Sequence, residues 1–173
     1  MIYVVRRGEI NYNVDGRYEW RIDTPLNENG IMQARKLKEI FKEIKFDVVI
    51  TSPLVRAIET ANEITDIEMI TDERIIERSN GELESKLKSE ITEDIDFNNQ
   101  NEKKYNIESI VDFRKRIYNF LDEIKERYKG KNVLVVTHAC VGIYIRTYFE
   151  GEPKSGNYYD YKLGNEKHLK YTN

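Results

Sequence analysis

The sequence predicts an α/β fold, a three-layer αβα sandwich around a mostly parallel central sheet. Two observations predict it. Runs at 2–5, 47–51 and 132–137 (IYVV, DVVIT, NVLVVT) are rich in β-branched residues and apolar almost end to end, the pattern of strands buried on both faces. Between them lie segments whose apolar residues recur at helical spacing. Strand and helix therefore alternate, and the helices cover the sheet on both sides.

The elements follow in order. The first strand, 2–5, runs into Arg6-Arg7-Gly8-Glu9 and then a polar loop holding Asn11, Asn13, Asp15 and Gly16. A helix is predicted from Asn27 or Glu28, with Ala34, Leu37, Phe41 and Ile44 on its apolar face. Residues 47–51 form the second strand. Ser52-Pro53 reads as a helix start, a hydroxyl N-cap followed by proline at the first helical position, and that helix runs to about Glu63. A short third strand at 67–70 leads to a loop at 72–84. Ile110, Phe113, Ile117, Leu121, Ile124 and Tyr128 place a long helix from about Glu108 to Tyr128, with Gly130 as its stop. The fourth strand, 132–137, is followed by a helix from about Val141 to Tyr148. The aromatic run Tyr158–Tyr161 suggests an edge strand, and His168–Tyr171 suggests another. Residues 1–173 read as one domain, without repeat or linker, with a highly charged excursion at about 85–107.

Composition excludes several function classes. The 28 basic and 31 acidic side chains leave a net charge of -3, so no global field draws nucleic acid or an anionic membrane. No basic stripe interleaved with aromatics is present. The single cysteine, Cys140, excludes an internal disulfide framework and a CxxC metal site. No apolar stretch approaches the ~18 residues a membrane span needs, and no leader pattern opens the chain. The expectation is a cytoplasmic protein without cofactor or metal.

Chemistry gathers where strands end, because ligand sites in parallel α/β sheets form at the carboxyl ends of strands. Arg6 and Arg7 follow the first strand, and His138 directly follows the fourth. Arg56 sits on the first turn of the helix after the second strand, where free N–H groups and the positive dipole end favour phosphate. Each residue alone is ordinary. Together Arg6, Arg56 and His138 converge on one sheet edge, and arginine's rigid fork of donors suits phosphate oxygens. Glu77, in the 72–84 loop, would stand nearby as a proton donor.

These motifs, in this order, resemble those of the histidine phosphatase superfamily, the phosphoglycerate mutase-like family. Its members open with a strand and Arg-His-Gly-Glu-Thr, with an asparagine three residues on; here stand Arg6-Arg7-Gly8-Glu9-Ile10 and Asn13. An Asp-x-Pro-Leu, Gly, Gln-Ala pattern is matched by Asp23, Pro25, Leu26, Gly30, Gln33 and Ala34. Ser-Pro-Leu-x-Arg-Ala is present as residues 52–57, extended by Thr60 and Ala61. Glu77, Arg78 and Gly81 match Glu-Arg-x-x-Gly, with Glu84 also fitting, and Thr137-His138 matches the second histidine motif. The resemblance covers residues 2 to about 146.

The resemblance implies hydrolysis of small phosphomonoesters through a phosphohistidine. Arg6, Arg56 and His138 would clamp the phosphoryl group, Asn13 would assist, and Glu77 would protonate the leaving alcohol. It implies no metal and no cofactor, and its partner would be a small phosphorylated substrate or inorganic phosphate. One departure decides the mechanism. Arg7 occupies the nucleophile position, and a guanidinium has no lone pair to give. The chain is therefore expected to be inactive or weakly active, or to be a non-catalytic pseudophosphatase that binds a phosphorylated ligand. Ile10 in place of threonine and Ala139 in place of glycine are lesser departures. The short chain favours a phosphatase over a phosphoglycerate mutase proper, whose insertions are longer. Lys86, Lys88, Lys103 and Lys104 in the charged excursion are candidates to meet a second anionic group.

Overall fold

The computed structural model describes residues 1–11, 17, 18, 20–92 and 104–173. Asn13, Lys103 and the middle of the charged excursion lie outside the described residues. The strands are β1 (Ile2–Arg6), β2 (Val48–Thr51), β3 (Met69–Thr71), β4 (Val133–Thr137) and β5 (His168–Tyr171). The helices are α1 (Glu28–Phe41), α2 (Val55–Ile64), α3 (Ile110–Arg127) and α4 (Ala139–Glu150). The sheet runs β3-β2-β4-β1-β5, parallel except for β5, which pairs antiparallel with β1.

Strand alternation builds the three layers. Tyr3 and Val5 of β1, Val49 of β2, and Leu134 and Val136 of β4 point to one face. There they pack with Leu37 and Phe41 of α1 and with Ala57, Ala61 and Ile64 of α2. Ile2, Val4, Ile50, Val133 and Val135 point to the other face and meet α3 and α4 through Phe113, Ile117, Phe120, Leu121, Ile124 and Ile145. Since successive side chains of a strand take opposite faces, a strand buried on both must be apolar throughout. That is why β1 and β4 carry no polar residue before their last position. Among the described residues, no helix is long and apolar enough to cross a membrane.

Helix ends follow local chemistry in two cases and distant chemistry in a third. Asn27 caps α1 by accepting from the Gly30 amide at 2.8 Å, and Ser109 caps α3 by accepting from the Asp112 amide at 3.1 Å. Ser52-Pro53 does not start α2. The helix begins at Val55, with Leu54 at the cap position, and the Val55 amide is satisfied by Asp23 Oδ1 at 2.6 Å. Ser52 lends its hydroxyl to His138 instead. The predicted edge strand at Tyr158–Tyr161 is also corrected. It is a 3₁₀ turn, opened by the Asn157 side chain accepting from the Tyr159 amide. The tail at His168–Tyr171 does form a strand, and His168 packs edge-on against Phe41 with ring centroids 5.0 Å apart.

The loop after β1 is fixed by contact with α1 and α2. A Cβ on Gly8 would stand 2.4 Å from the Gly30 carbonyl oxygen, and one on Gly30 would stand 2.2 Å from that of Glu9. The Gly8 amide donates to Thr60 Oγ1 at 3.0 Å and the Glu9 amide to Gln33 Oε1 at 2.9 Å. Backbone on both sides of the contact leaves nothing flexible to move aside, so overpacking strains the fold. Gly30→Ala is expected to destabilise the chain by about 1–3 kcal/mol, read as a lowered midpoint of urea denaturation.

Candidate functional site

The register of β1 on β4 places the site. Arg6 pairs with Thr137, and the Arg7 amide donates to the Thr137 carbonyl at 2.8 Å. Arg7 and His138 therefore leave neighbouring strands side by side. His138 is the residue from which α4 starts, so the amino end of that helix, Ala139 and Cys140, faces the same place. An open cleft of about 400 Å³ lies there. Arg6, Arg7, Lys88 and Lys162 bring four cations to its lining and Glu77 one carboxylate.

Glu77 is not a solvated loop carboxylate. It is 6% exposed, with Oε1 accepting from the Arg78 amide at 3.0 Å and Oε2 from the Cys140 amide at 3.2 Å. It thus bridges its own loop to the first turn of α4, at the positive end of that helix dipole. Burial lowers the pKa of Arg6, while the charge of Glu77 acts against that shift. Arg7 is 6% exposed, and its Nη1 donates to the Gly8 carbonyl at 2.8 Å. Burial pushes the Cys140 thiol well above its ordinary range, and the Glu77 carboxylate adds to that. Cys140 is therefore a neutral thiol in the cleft.

Arg56 and His138 stand behind this lining. Both are 1% exposed. Arg56 donates through Nη1 to the Ile22 carbonyl and through Nη2 to the Trp20 carbonyl, each at 2.5 Å. Its fork ties the 20–22 segment to α2. His138 Nε2 lies 2.7 Å from Ser52 Oγ, and its Nδ1 has no hydrogen-bond partner among the described residues. Burial, and then the charges of Arg56, Arg7, Arg6 and Arg116, hold the His138 pKa well below the usual histidine value. The ring is neutral.

The sequence-based candidates are thus brought together in two tiers. Arg6, Arg7 and Glu77 line the cleft, whereas Arg56 and His138 are buried and outside its lining. Asn13 is outside the described residues. Lys88, one of the excursion lysines, reaches the cleft, whereas Lys86 and Lys104 each stand 5.7 Å from the ring of Tyr105. Sequence reasoning missed Lys162, Trp20 and Tyr159 in the lining, and Ser52 as the partner of His138. Only Ser52 carried a signal, its place in the Ser-Pro-Leu-x-Arg-Ala motif.

Strand ends, a helix start and a cluster of arginines define the class: an α/β protein with a cation-lined cleft at the carboxyl edge of its sheet. The family model for the histidine phosphatase superfamily (branch 1) matches residues 2–169, and the chain belongs to that superfamily. It is 33% identical over 147 residues to phosphoserine phosphatase 1 of Hydrogenobacter thermophilus, covering 79% of this chain and 70% of that protein. It is 28% identical over 151 residues to the adenosylcobalamin/alpha-ribazole phosphatase of Escherichia coli, covering 81% and 74%. Its fold matches the crystal structure of the Entamoeba histolytica phosphoserine phosphatase in complex with 3-phosphoglyceric acid. That match has a TM-score of 0.77 and 27% identity over 96% of this chain and 87% of that one.

The neutral His138 has a consequence for stability. Its folded pKa lies below its unfolded value of about 6.5. Below that pH the unfolded chain takes up the proton and the folded chain does not, so stability is complete above about pH 6.5 and is lost as pH falls. His168, lowered by burial and by Lys170, acts in the same direction. The urea midpoint is expected to fall between pH 7 and pH 5, and to fall less in His138→Gln.

Proposed function

We propose that the cleft binds small phosphomonoesters and that Arg7, in the place of the nucleophilic histidine, closes the phosphohistidine route. The observation that carries this reading is that Arg7 is among the residues lining the cleft, with Arg6 and Glu77. Arg6 and Arg7 would take the phosphoryl oxygens, with Lys162 contributing long-range attraction. Asn13 would be an auxiliary contact. Arg56 and His138 complete the clamp only once Arg56 releases the carbonyls of residues 20 and 22 and His138 turns from Ser52. Glu77 would stand at the leaving oxygen and supply its proton.

Catalysis then has no first step. In-line displacement needs a lone pair opposite the leaving alcohol, and a guanidinium holds its proton at every physiological pH. Electrostatic clamping with Glu77 leaves at most slow direct attack by water. A second reading, a pseudophosphatase that holds a phosphorylated ligand without turnover, is supported by the engagement of Arg56 with two backbone carbonyls and of His138 with Ser52. Both clamp groups then serve the fold.

Hydrolysis of 4-nitrophenyl phosphate by the chain and by Arg7→His separates the readings. The impaired-phosphatase reading expects the histidine variant to be faster by on the order of a hundredfold or more. No gain would leave the binding reading in its place. Binding itself is tested by thermal melting. Inorganic phosphate at about a hundred times its Kd is expected to add roughly 2.7 kcal/mol, a rise of several degrees for a chain of this size. Arg6→Ala is expected to abolish most of that rise; an unchanged rise would remove Arg6 from the clamp.

A further inference from the structure

The cleft is lined by two kinds of side chain. Beside its cations stand Tyr18, Trp20, Ile143 and Tyr159. Trp20, Cys140, Ile143 and Tyr159 also line a second, smaller compartment of about 30 Å³, closed by Phe113, Tyr144, Tyr158 and Arg78. The apolar part of the lining is therefore gathered where the two spaces adjoin. From this arrangement we infer that the phosphate ester taken by the cleft carries a flat aromatic group that lies against Trp20 and Tyr159, with the smaller compartment taking an apolar substituent of about methyl size. The inference rests on the phosphomonoester reading above and names the chemistry of the ester's other half.

Several features point the same way. At about 400 Å³ the cleft is much larger than a phosphate and falls within the size range of sites that enclose whole small molecules. The aromatic walls of the smaller compartment, and Trp20 between the two spaces, are already braced. Tyr144 and Tyr158 stack at 5.6 Å, Phe113 meets Tyr144 edge-on at 5.4 Å, and the Arg78 guanidinium lies 5.9 Å from the Trp20 ring centre. A wall ordered before the ligand arrives lowers the entropy lost on binding, and aromatic faces favour stacked or edge-on rings over aliphatic chains. The charge pattern argues against a small amino-acid ester. Glu77 is the one carboxylate in the described lining, and both of its oxygens accept backbone amides. Burial pushes the Tyr144 phenol up to about 12 and raises that of Tyr159, so neither supplies an anion. An ammonium group would enter among four cations.

The test titrates the unaltered chain with inorganic phosphate, phenyl phosphate and O-phosphoserine by calorimetry, while following the fluorescence of Trp20, the single tryptophan. Phenyl phosphate is expected to bind about tenfold more tightly than phosphoserine and to change the Trp20 emission; inorganic phosphate is expected to leave it nearly unchanged. Tyr159 is 52% exposed, so Tyr159→Ala is expected to fold and to reduce the preference to about twofold without altering phosphate affinity. Binding of phosphate with no preference for the phenyl ester, or a preference without any change in Trp20 emission, overturns the aromatic assignment and leaves the phosphate site standing. Failure of all three to bind overturns both.

Discussion

The contact on which the site depends is the crossing of two backbones at Gly8 and Gly30. Neither position has room for a β-carbon, so the loop after β1 lies directly on the first turn of α1. Two side chains then fix it, Thr60 from α2 and Gln33 from α1, each holding an amide of that loop. A peptide pinned at consecutive residues cannot rotate, and the direction in which Arg6 and Arg7 leave β1 is settled before any ligand is present. On the other side β4 delivers His138 and the start of α4 through a fully buried strand. Together the pinned loop and this strand make the cleft a product of the sheet register, with little left to side-chain choice.

Charge is the second organising constraint. Arg6, Arg7, Arg56, Arg78 and Arg116 crowd around one neutral histidine and one buried glutamate. Like charges so close cost free energy unless each finds acceptors. The structure supplies them from the backbone: Gly8 for Arg7, Leu163 for Arg6, Trp20 and Ile22 for Arg56, and Glu108 for Arg78. Carbonyl oxygens are weaker partners than a phosphate dianion. The cluster is held together by these carbonyls.

The sheet and its helices were legible because their signals are local. Apolar β-branched runs and the helical spacing of Ala34, Leu37 and Phe41 or of Phe113, Ile117 and Leu121 depend on residues a few positions apart. What was misread depends on distant partners. Ser52 looked like a cap until His138, 86 positions away, drew its hydroxyl, and the true support for α2 comes from Asp23. Tyr158–Tyr161 has the composition of a strand, but Asn157 turns it and Tyr144 stacks on it, which no pattern within the segment discloses. In the site, Arg6, Arg7 and Glu77 were found by motif. Lys162 and Tyr159 were not, since they reach the cleft only because the chain returns past α4. The partners of Arg56 and His138, the carbonyls of Trp20 and Ile22 and the hydroxyl of Ser52, are likewise distant in sequence, and the pairings carried no local signal.

Arg56 shows what the signature residues of this chain encode. Its two terminal nitrogens span a pair of carbonyls, a task for which a lysine ammonium lacks the geometry. Glu84 likewise holds the amides of Trp20, Arg21 and Asn80, and Gln33 and Thr60 hold the loop after β1. These side chains are employed as scaffolding whether or not any bond is broken in the cleft. Arg56, Glu84, Gln33 and Thr60 therefore hold the architecture around the cleft whatever residue stands at position 7.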